Sequence, residues 1–377
     1  FSSLCFFIFY MNYFNQFMLL KFSLNMKNSS IFFVSTPLHV LNSLIIALDE
    51  YESNDCILVF IDQPKDRENH YYNILKNWGK SPFKKILYFQ SSGNLNKYQH
   101  RKNIFKDIYI ELNKINFSKI YTSNDRRIEF IYAYKLLKKL NKNIKCIYID
   151  DGIMSYVIHK YSWESPLEIL VKKLYYGFWY NRTTIVGSSK FINSSIVAFP
   201  KFVHHYLKKN NPILLKSEYF KKNIYLDFLK KILYSFKQNS NIHNLKYILI
   251  LPHQIELKKY WNFYNKLKDD LIDNNESSHK IGIKYHPFQN GDPLNFKNDK
   301  NFTIINSDIA FECIVPFLKK ETTIIGDVST AMIYAKLIKK NLNVVLIRNK
   351  NDIRLNKLRP LLNEIGVIEF DSIKNYL

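Results

Sequence analysis

From residue 31 onward, short runs of Ile, Val, Tyr and Phe alternate with longer stretches of helical periodicity. Strand-like runs fall at 31–35, 56–61, 85–89, 119–121 and 146–149, with helical stretches at 37–49, 68–78, 98–113 and 126–140 between them. Continuous apolar strands, each followed by a crossover helix, mark parallel strands buried on both faces. Repetition of that unit builds a doubly wound sheet. The segment 155–244 is less regular, with strand-like 184–186 and 195–199 and a helical run at 218–236. Its last residues, Lys237 to Asn244, are polar and turn-rich and mark a boundary. A second series follows, with strands at 246–251, 280–285, 322–325 and 344–347 and helices at 309–318, 328–339 and 352–362. The pattern predicts an α/β chain of two Rossmann-like domains facing a cleft, at 26–240 and 241–377.

Length agrees, since 377 residues suffice for two such domains with separate cores. The formal charge of +23 has two explanations. One is a general bias toward Lys, Asn, Ile, Tyr and Phe; the other is an acidic partner, such as a nucleotide-sugar, an anionic glycolipid or a membrane surface. Lysines are scattered along the whole chain, which argues against a nucleic-acid partner. The four cysteines, Cys5, Cys56, Cys146 and Cys313, form no close pairs, so neither a disulfide framework nor a zinc pattern is present. A reducing cytoplasm fits best. Residues 1–25 are rich in Phe, Leu, Met and Ile but lack a basic flank, unlike a signal peptide. They would lie on a membrane or, alternatively, precede a natural start at Met26. The second reading is preferred, and this leader is set apart from the fold.

Ligands of doubly wound sheets bind outside the carboxyl ends of the strands, so those ends hold the candidate chemistry. Strand 146–149 runs into Asp150-Asp151-Gly152, where paired carboxylates on a sharp turn suit a general base. An ordinary Asp-Gly turn would use the same residues. Strand 280–285 ends in His286-Pro287, with the imidazole placed to protonate or hydrogen-bond a leaving phosphate and Lys284 placed to add charge. Gly326 follows strand 322–325, and a helix then opens with Ser329 and Thr330. Hydroxyls and backbone N–H groups there form a phosphate site, although a plain N-cap by Ser329 or Asp327 is the commoner use. Ser35 and Thr36 at the end of the first strand, and His253, Gln254 and Glu256 after strand 246–251, occupy matching cleft positions. Thr36 before Pro37 also reads as an N-cap and first helical residue. His39 receives no role. No Gly-x-Gly-x-x-Gly or Walker pattern occurs, and no Asp-x-Asp or metal-ligand spacing, so no metal or cofactor is expected.

In order and spacing, the opening strand with Ser-Thr-Pro-Leu-His, then Asp-Asp-Gly, His-Pro and Ser-Thr resemble bacterial sialyltransferases. The similarity is to the lipooligosaccharide and capsule enzymes of glycosyltransferase family 52 and to the related capsular polysialyltransferases. It spans most of residues 29–350. The resemblance implies a glycosyltransferase-B fold and a metal-independent, inverting sialyltransferase that uses CMP-sialic acid. The acceptor would be a terminal galactose or sialic acid of a surface glycan. By the same resemblance the base maps onto Asp150 or Asp151, without a choice between them. His286 maps onto the group that acts on the CMP phosphate, and Ser329 and Thr330 onto the hydroxyl pair that binds it, with Lys284, Pro287 and Gly326 as donor-side neighbours. Family 52 enzymes place their base near the strand before His-Pro, where this chain has Leu251 to Glu256 and no Asp at the matching spot.

The basic surface would hold such an enzyme at the anionic inner face of the bacterial cytoplasmic membrane. The sequence leaves room for a homodimer. Rival readings are a related transferase using a UDP-hexose, a basic nucleic-acid-binding protein, and a non-catalytic capsule assembly factor.

Overall fold

In the computed structural model, the described residues are 28–91, 97–159, 164–238, 242–273, 280–289, 291–347 and 353–370. The proposed leader at 1–25 lies outside them, as do residues 239–241 of the expected boundary. Among the described residues thirteen strands form two sheets, one on either side of that boundary.

The first sheet contains β1 (Ser29–Val34), β2 (Asp55–Gln63), β3 (Phe83–Gln90), β4 (Phe117–Thr122), β5 (Lys145–Ile149), β6 (Ser194–Val197) and β7 (Pro212–Leu214). Its order is β3-β2-β1-β4-β5-β6-β7, and every pairing is parallel. The helices are α1 (Pro37–Glu50), α2 (His70–Asn77), α3 (Lys97–Leu112), α4 (Ile128–Leu140), α5 (Ile153–Tyr156), α6 (Pro166–Tyr176), α7 (His205–Lys208) and α8 (Asn223–Ser235). The second sheet holds β8 (Leu245–Ile250), β9 (Lys280–Lys284), β10 (Phe302–Ile305), β11 (Thr323–Gly326), β12 (Asn343–Ile347) and β13 (Ile368–Phe370). Its order is β10-β9-β8-β11-β12-β13, again parallel throughout. Helices α9 (Gln254–Lys259), α10 (Trp261–Asp273), α11 (Thr330–Ile338) and α12 (Ile353–Glu364) complete this half. Both orders reverse at their first strand, which places a ligand-binding crevice between β1 and β4 and between β8 and β11.

The strands form because their apolar runs are buried on both faces; all six residues of β1 are buried. Full burial of such side chains contributes about 1.5–3 kcal/mol each. One apolar cluster continues from the first sheet through Val328, Met332 and Ile333 of the second half, so the domains share packing. Polar contacts cross there too: Asn42 of α1 donates to Tyr334 Oη of α11 at 2.7 Å, and the Ala310 N–H donates to Tyr71 Oη at 2.8 Å.

Two expected elements are absent. Residues 184–186 form a turn rather than a strand, because the Asp125 carboxylate accepts from the N–H groups of Gly187 (2.8 Å) and Ser189 (2.9 Å). The helix expected at 309–318 is two short 3₁₀ turns, Phe311–Cys313 and Val315–Phe317, because Pro316 has no N–H to donate and disfavours helix at Val315.

Candidate active site

β5 delivers three residues with different fates. Asp150 is 0% exposed. Its Oδ1 accepts from the Gly152 N–H at 2.6 Å and the Ser155 hydroxyl at 3.4 Å; its Oδ2 accepts from the Ala198 N–H at 2.8 Å and from Tyr156 Oη. Burial pushes its carboxyl up to about 6, against the opposing pull of these donors. Both oxygens are therefore committed to holding the turn. Asp151 faces the other way, with its side chain 17% exposed. Gly152 adopts φ +62° and ψ −134°, and a Cβ there would lie 2.2 Å from Thr330 Cγ2. Both the backbone and the neighbouring domain require glycine.

Asp151 has a partner that was assigned no role in the sequence. His39, from the first turn of α1, brings Nε2 to 2.7 Å from Asp151 Oδ1. The Ser35 N–H donates to His39 Nδ1 at 3.3 Å, so the imidazole proton sits on Nε2 and donates to Asp151. Ser35 Oγ also lies 3.3 Å from Nδ1. The other oxygen of Asp151 has no partner among the described residues. Thr36 caps α1, accepting from the His39 N–H at 3.4 Å, and so fixes the start of the helix that carries this imidazole.

In the second half, His253 and His286 follow β8 and β9. Their rings lie 4.9 Å apart at 69°. His253 Nδ1 accepts from the Ile255 N–H and His286 Nδ1 from the Phe288 N–H, each at 3.2 Å. Both imidazoles therefore carry their proton on Nε2. Burial, then His253 and Lys284, lower His286 to about 4, which keeps it neutral. Phe288 stacks on His286 at 5.6 Å, and Pro287 beside it is exposed. Gln254 and Glu256 lie in the first turn of α9.

One donor-side expectation is corrected, that for Lys284, and Gly326 has a packing reason of its own. Lys284 is 4% exposed, and its Nζ donates to the carbonyls of Tyr285 (3.0 Å) and Ser307 (2.9 Å). Burial lowers it to about 8; it organises the loop instead of presenting charge to a ligand. Gly326 is the last residue of β11, and a Cβ there would lie 2.8 Å from the Ile250 carbonyl oxygen, so its missing side chain serves strand packing.

Ser329 occupies the N-cap position of α11, yet its hydroxyl makes no capping bond and is buried without a partner. Asp327 instead accepts from the Val328 N–H at 2.7 Å and from Tyr264 Oη at 3.2 Å. Thr330 Oγ1 accepts from the Ile153 N–H at 3.1 Å, which joins the start of α11 to the Asp-Asp-Gly turn. An uncapped helix start with an orphaned hydroxyl is a donor set suited to an anion.

The residue range 30–348 matches the model of the alpha-2,8-polysialyltransferase family. The chain belongs to this family. Of the two groups that the motifs resemble, the matched model is that of the polysialyltransferases, and sialyl transfer is its general activity. No curated protein matches by sequence. Solved structures share the fold at low identity. The UDP-GlcNAc 2-epimerase of Methanocaldococcus jannaschii is 14% identical with a TM-score of 0.56, over 93% of this chain and 90% of that one. The alpha/beta-galactoside alpha-2,3-sialyltransferase of Photobacterium phosphoreum is 14% identical with a TM-score of 0.52, over 91% and 98%. The two-domain architecture is that of the glycosyltransferase-B fold. Among the described residues no helix is long and apolar enough to cross a membrane.

Proposed function

We propose that this polysialyltransferase-family enzyme transfers sialic acid from CMP-sialic acid to a terminal galactose or sialic acid of a surface glycan, with inversion. The observation that carries the reading is the junction at Ile153 and Thr330, where the acidic turn of one domain meets the anion-binding helix start of the other. In the reaction the acceptor hydroxyl oxygen attacks the anomeric carbon, and its proton passes to Asp151. The bond from that carbon to the phosphate oxygen breaks, and CMP leaves with the electron pair. His39 holds the Asp151 carboxylate in one orientation through Nε2–H, leaving the second oxygen for the acceptor. The Nε2–H of His286, the Ser329 hydroxyl and the N–H groups opening α11 stabilise the charge on the leaving phosphate. Because these donors are fixed before the donor arrives, little reorganisation accompanies bond cleavage.

A thermal-shift comparison of CMP, CDP, UMP and UDP, followed by hydrolysis of CMP-sialic acid, tests the donor. CMP should stabilise the protein most; a larger shift with UDP, and no CMP-sialic acid turnover, would overturn the reading in favour of a UDP-hexose. The proposed reaction takes place at the cytoplasmic side and needs no metal. Turnover should survive excess EDTA, and loss restored by Mg²⁺ or Mn²⁺ would overturn that part.

A further inference from the structure

Helix α6 carries its amphipathy inverted. Leu167, Leu170 and Leu174 recur at helical spacing on one face, and Phe178 continues the stripe just beyond the helix. They are exposed by 70%, 50%, 68% and 81% respectively. The opposite face holds the helix to the protein: Lys172 donates to Glu164 at 2.8 Å, and Tyr176 is buried with Phe105, Ile128 and Tyr180. Exposure of the leucines is not fraying, because Ser165 and Glu168 form a complete capping box at the start of the helix. Around the stripe lies a ring of aromatic and basic groups. Tyr175 and Tyr109 are exposed, Trp179 packs on Phe105, and Lys102 sits 5.0 Å from the centre of the Tyr175 ring, with Lys106 exposed one turn further along α3.

We infer that α6 docks the protein on an anionic lipid bilayer, with the leucine face and Phe178 in the acyl boundary and the lysines among the headgroups. An apolar stripe bordered by Tyr, Trp and Lys is the pattern of a helix lying in a membrane interface. Charge favours this occupant over a second copy of the chain, because two such faces would bring together two lysine rims on molecules of formal charge +23. The docking does not depend on which reaction the enzyme performs. It does orient the molecule. Lys173 of α6 lines a cavity of about 200 Å³ together with Arg126 and Arg182, and Arg126 lies in the loop that leaves the carboxyl end of β4. Docking through α6 therefore brings the carboxyl-end side of the first sheet to the lipid surface, where a lipid-linked acceptor would stand.

Flotation of the full chain with phosphatidylglycerol vesicles, against phosphatidylcholine vesicles, tests this. The parent protein should float with the anionic vesicles and less so as salt is raised. Leu170→Glu with Leu174→Glu should lower partitioning at least ~100-fold, from two lost apolar insertions. Lys102→Glu and Lys106→Glu should each lower it about fivefold or more. Transfer to a soluble acceptor and thermal stability should stay at the parent level in all of them. Undiminished flotation of the leucine variant would overturn the inference and point to another segment. So would a parent that floats with neither vesicle but is a dimer that the leucine variant dissociates.

Discussion

The carboxyl end of β5 and the carboxyl ends of β8 and β9 lie along the ligand-binding edges of their respective sheets, and they are built in opposite ways. At β5 nearly every polar atom has a partner: Asp150 accepts four bonds, and Asp151 is oriented by a histidine whose other nitrogen is itself bonded. At β8 and β9 each imidazole has one nitrogen bonded within its own loop, with Nε2–H left over, and the Ser329 hydroxyl, on the helix that follows the neighbouring β11, has no partner among the described residues. A carboxylate that removes a proton benefits from a fixed direction, which a saturated turn supplies. A site that receives an anion benefits from open donors, whose full strength appears only when the charge arrives.

The largest expected effect would come from Asp151→Asn. Transfer should fall by about 10²–10⁴-fold, the usual loss for a positioned base, while CMP affinity in titration calorimetry stays unchanged. Near-normal transfer would break the comparison, and the loop from His253 to Glu256 would become the candidate base. Asp150→Asn attacks the same turn but should act on stability. An amide nitrogen cannot accept from the Ala198 N–H or from Tyr156 Oη, so a denaturant titration should show a loss of about 2–3 kcal/mol. The sign of the pH dependence is a second readout. With its carboxyl raised from 3.8 to about 6, folded Asp150 holds a proton that the unfolded chain has released, so its contribution to stability falls as pH rises through that window. The asparagine variant should lack this component.

The central strands of both sheets were legible because buried parallel strands are continuous apolar runs, and the two-domain reading followed from their repetition; the short edge strands β7, β10 and β13 were not read. Elements whose form depends on distant partners were not. Residues 184–186 look like a strand, but Asp125 holds the following residues in a turn with Gly187 at φ +76°. Helix α6 was not read from the sequence, although Ser165 and Glu168 form its capping box, because its leucines face outward, where a rule that seeks a buried stripe does not look. Asp-Asp-Gly was visible as a motif, but the division between its two acids was not: Ala198 and Tyr156 decide it. His39 was missed for the same reason, since Asp151 lies 112 residues away. A histidine four residues after a strand-end serine, at the same sheet edge as the acidic pair, was the available signal.

His286→Ala probes the open half of the comparison. Removing one charge-assisted hydrogen bond should weaken CMP binding roughly 10- to 100-fold and lower transfer at least as much. The imidazole sits at about 4 in the free protein, held down by burial, His253 and Lys284. A phosphate beside it opposes those causes and raises it, so binding takes up a proton. CMP affinity should therefore strengthen as pH falls toward 4, beyond any titration of the nucleotide itself, and that excess should vanish in His286→Ala. A variant with the parent's pH profile would show that the phosphate does not reach this imidazole.

The smallest effects separate the two hydroxyls at the start of α11. Ser329 has a buried hydroxyl without a partner, so Ser329→Ala removes an unsatisfied group and should leave the free protein as stable as the parent or slightly more so. The loss should appear only with donor present, as a rise in donor KM worth about 1 kcal/mol, or fivefold, with kcat little changed. Thr330 is already bonded to the Ile153 N–H across the domains, so Thr330→Ala should lower the melting temperature before any donor is added. Thr330→Ser keeps that hydroxyl and should restore most of the stability. Differential scanning fluorimetry with and without CMP distinguishes the pair: the Ser329 deficit depends on the nucleotide, and the Thr330 deficit does not. Equal melting temperatures for all three proteins without CMP would mean that the contact between Thr330 and Ile153 is too weak to hold the acidic turn against the helix start, and the two halves would then meet only when donor binds.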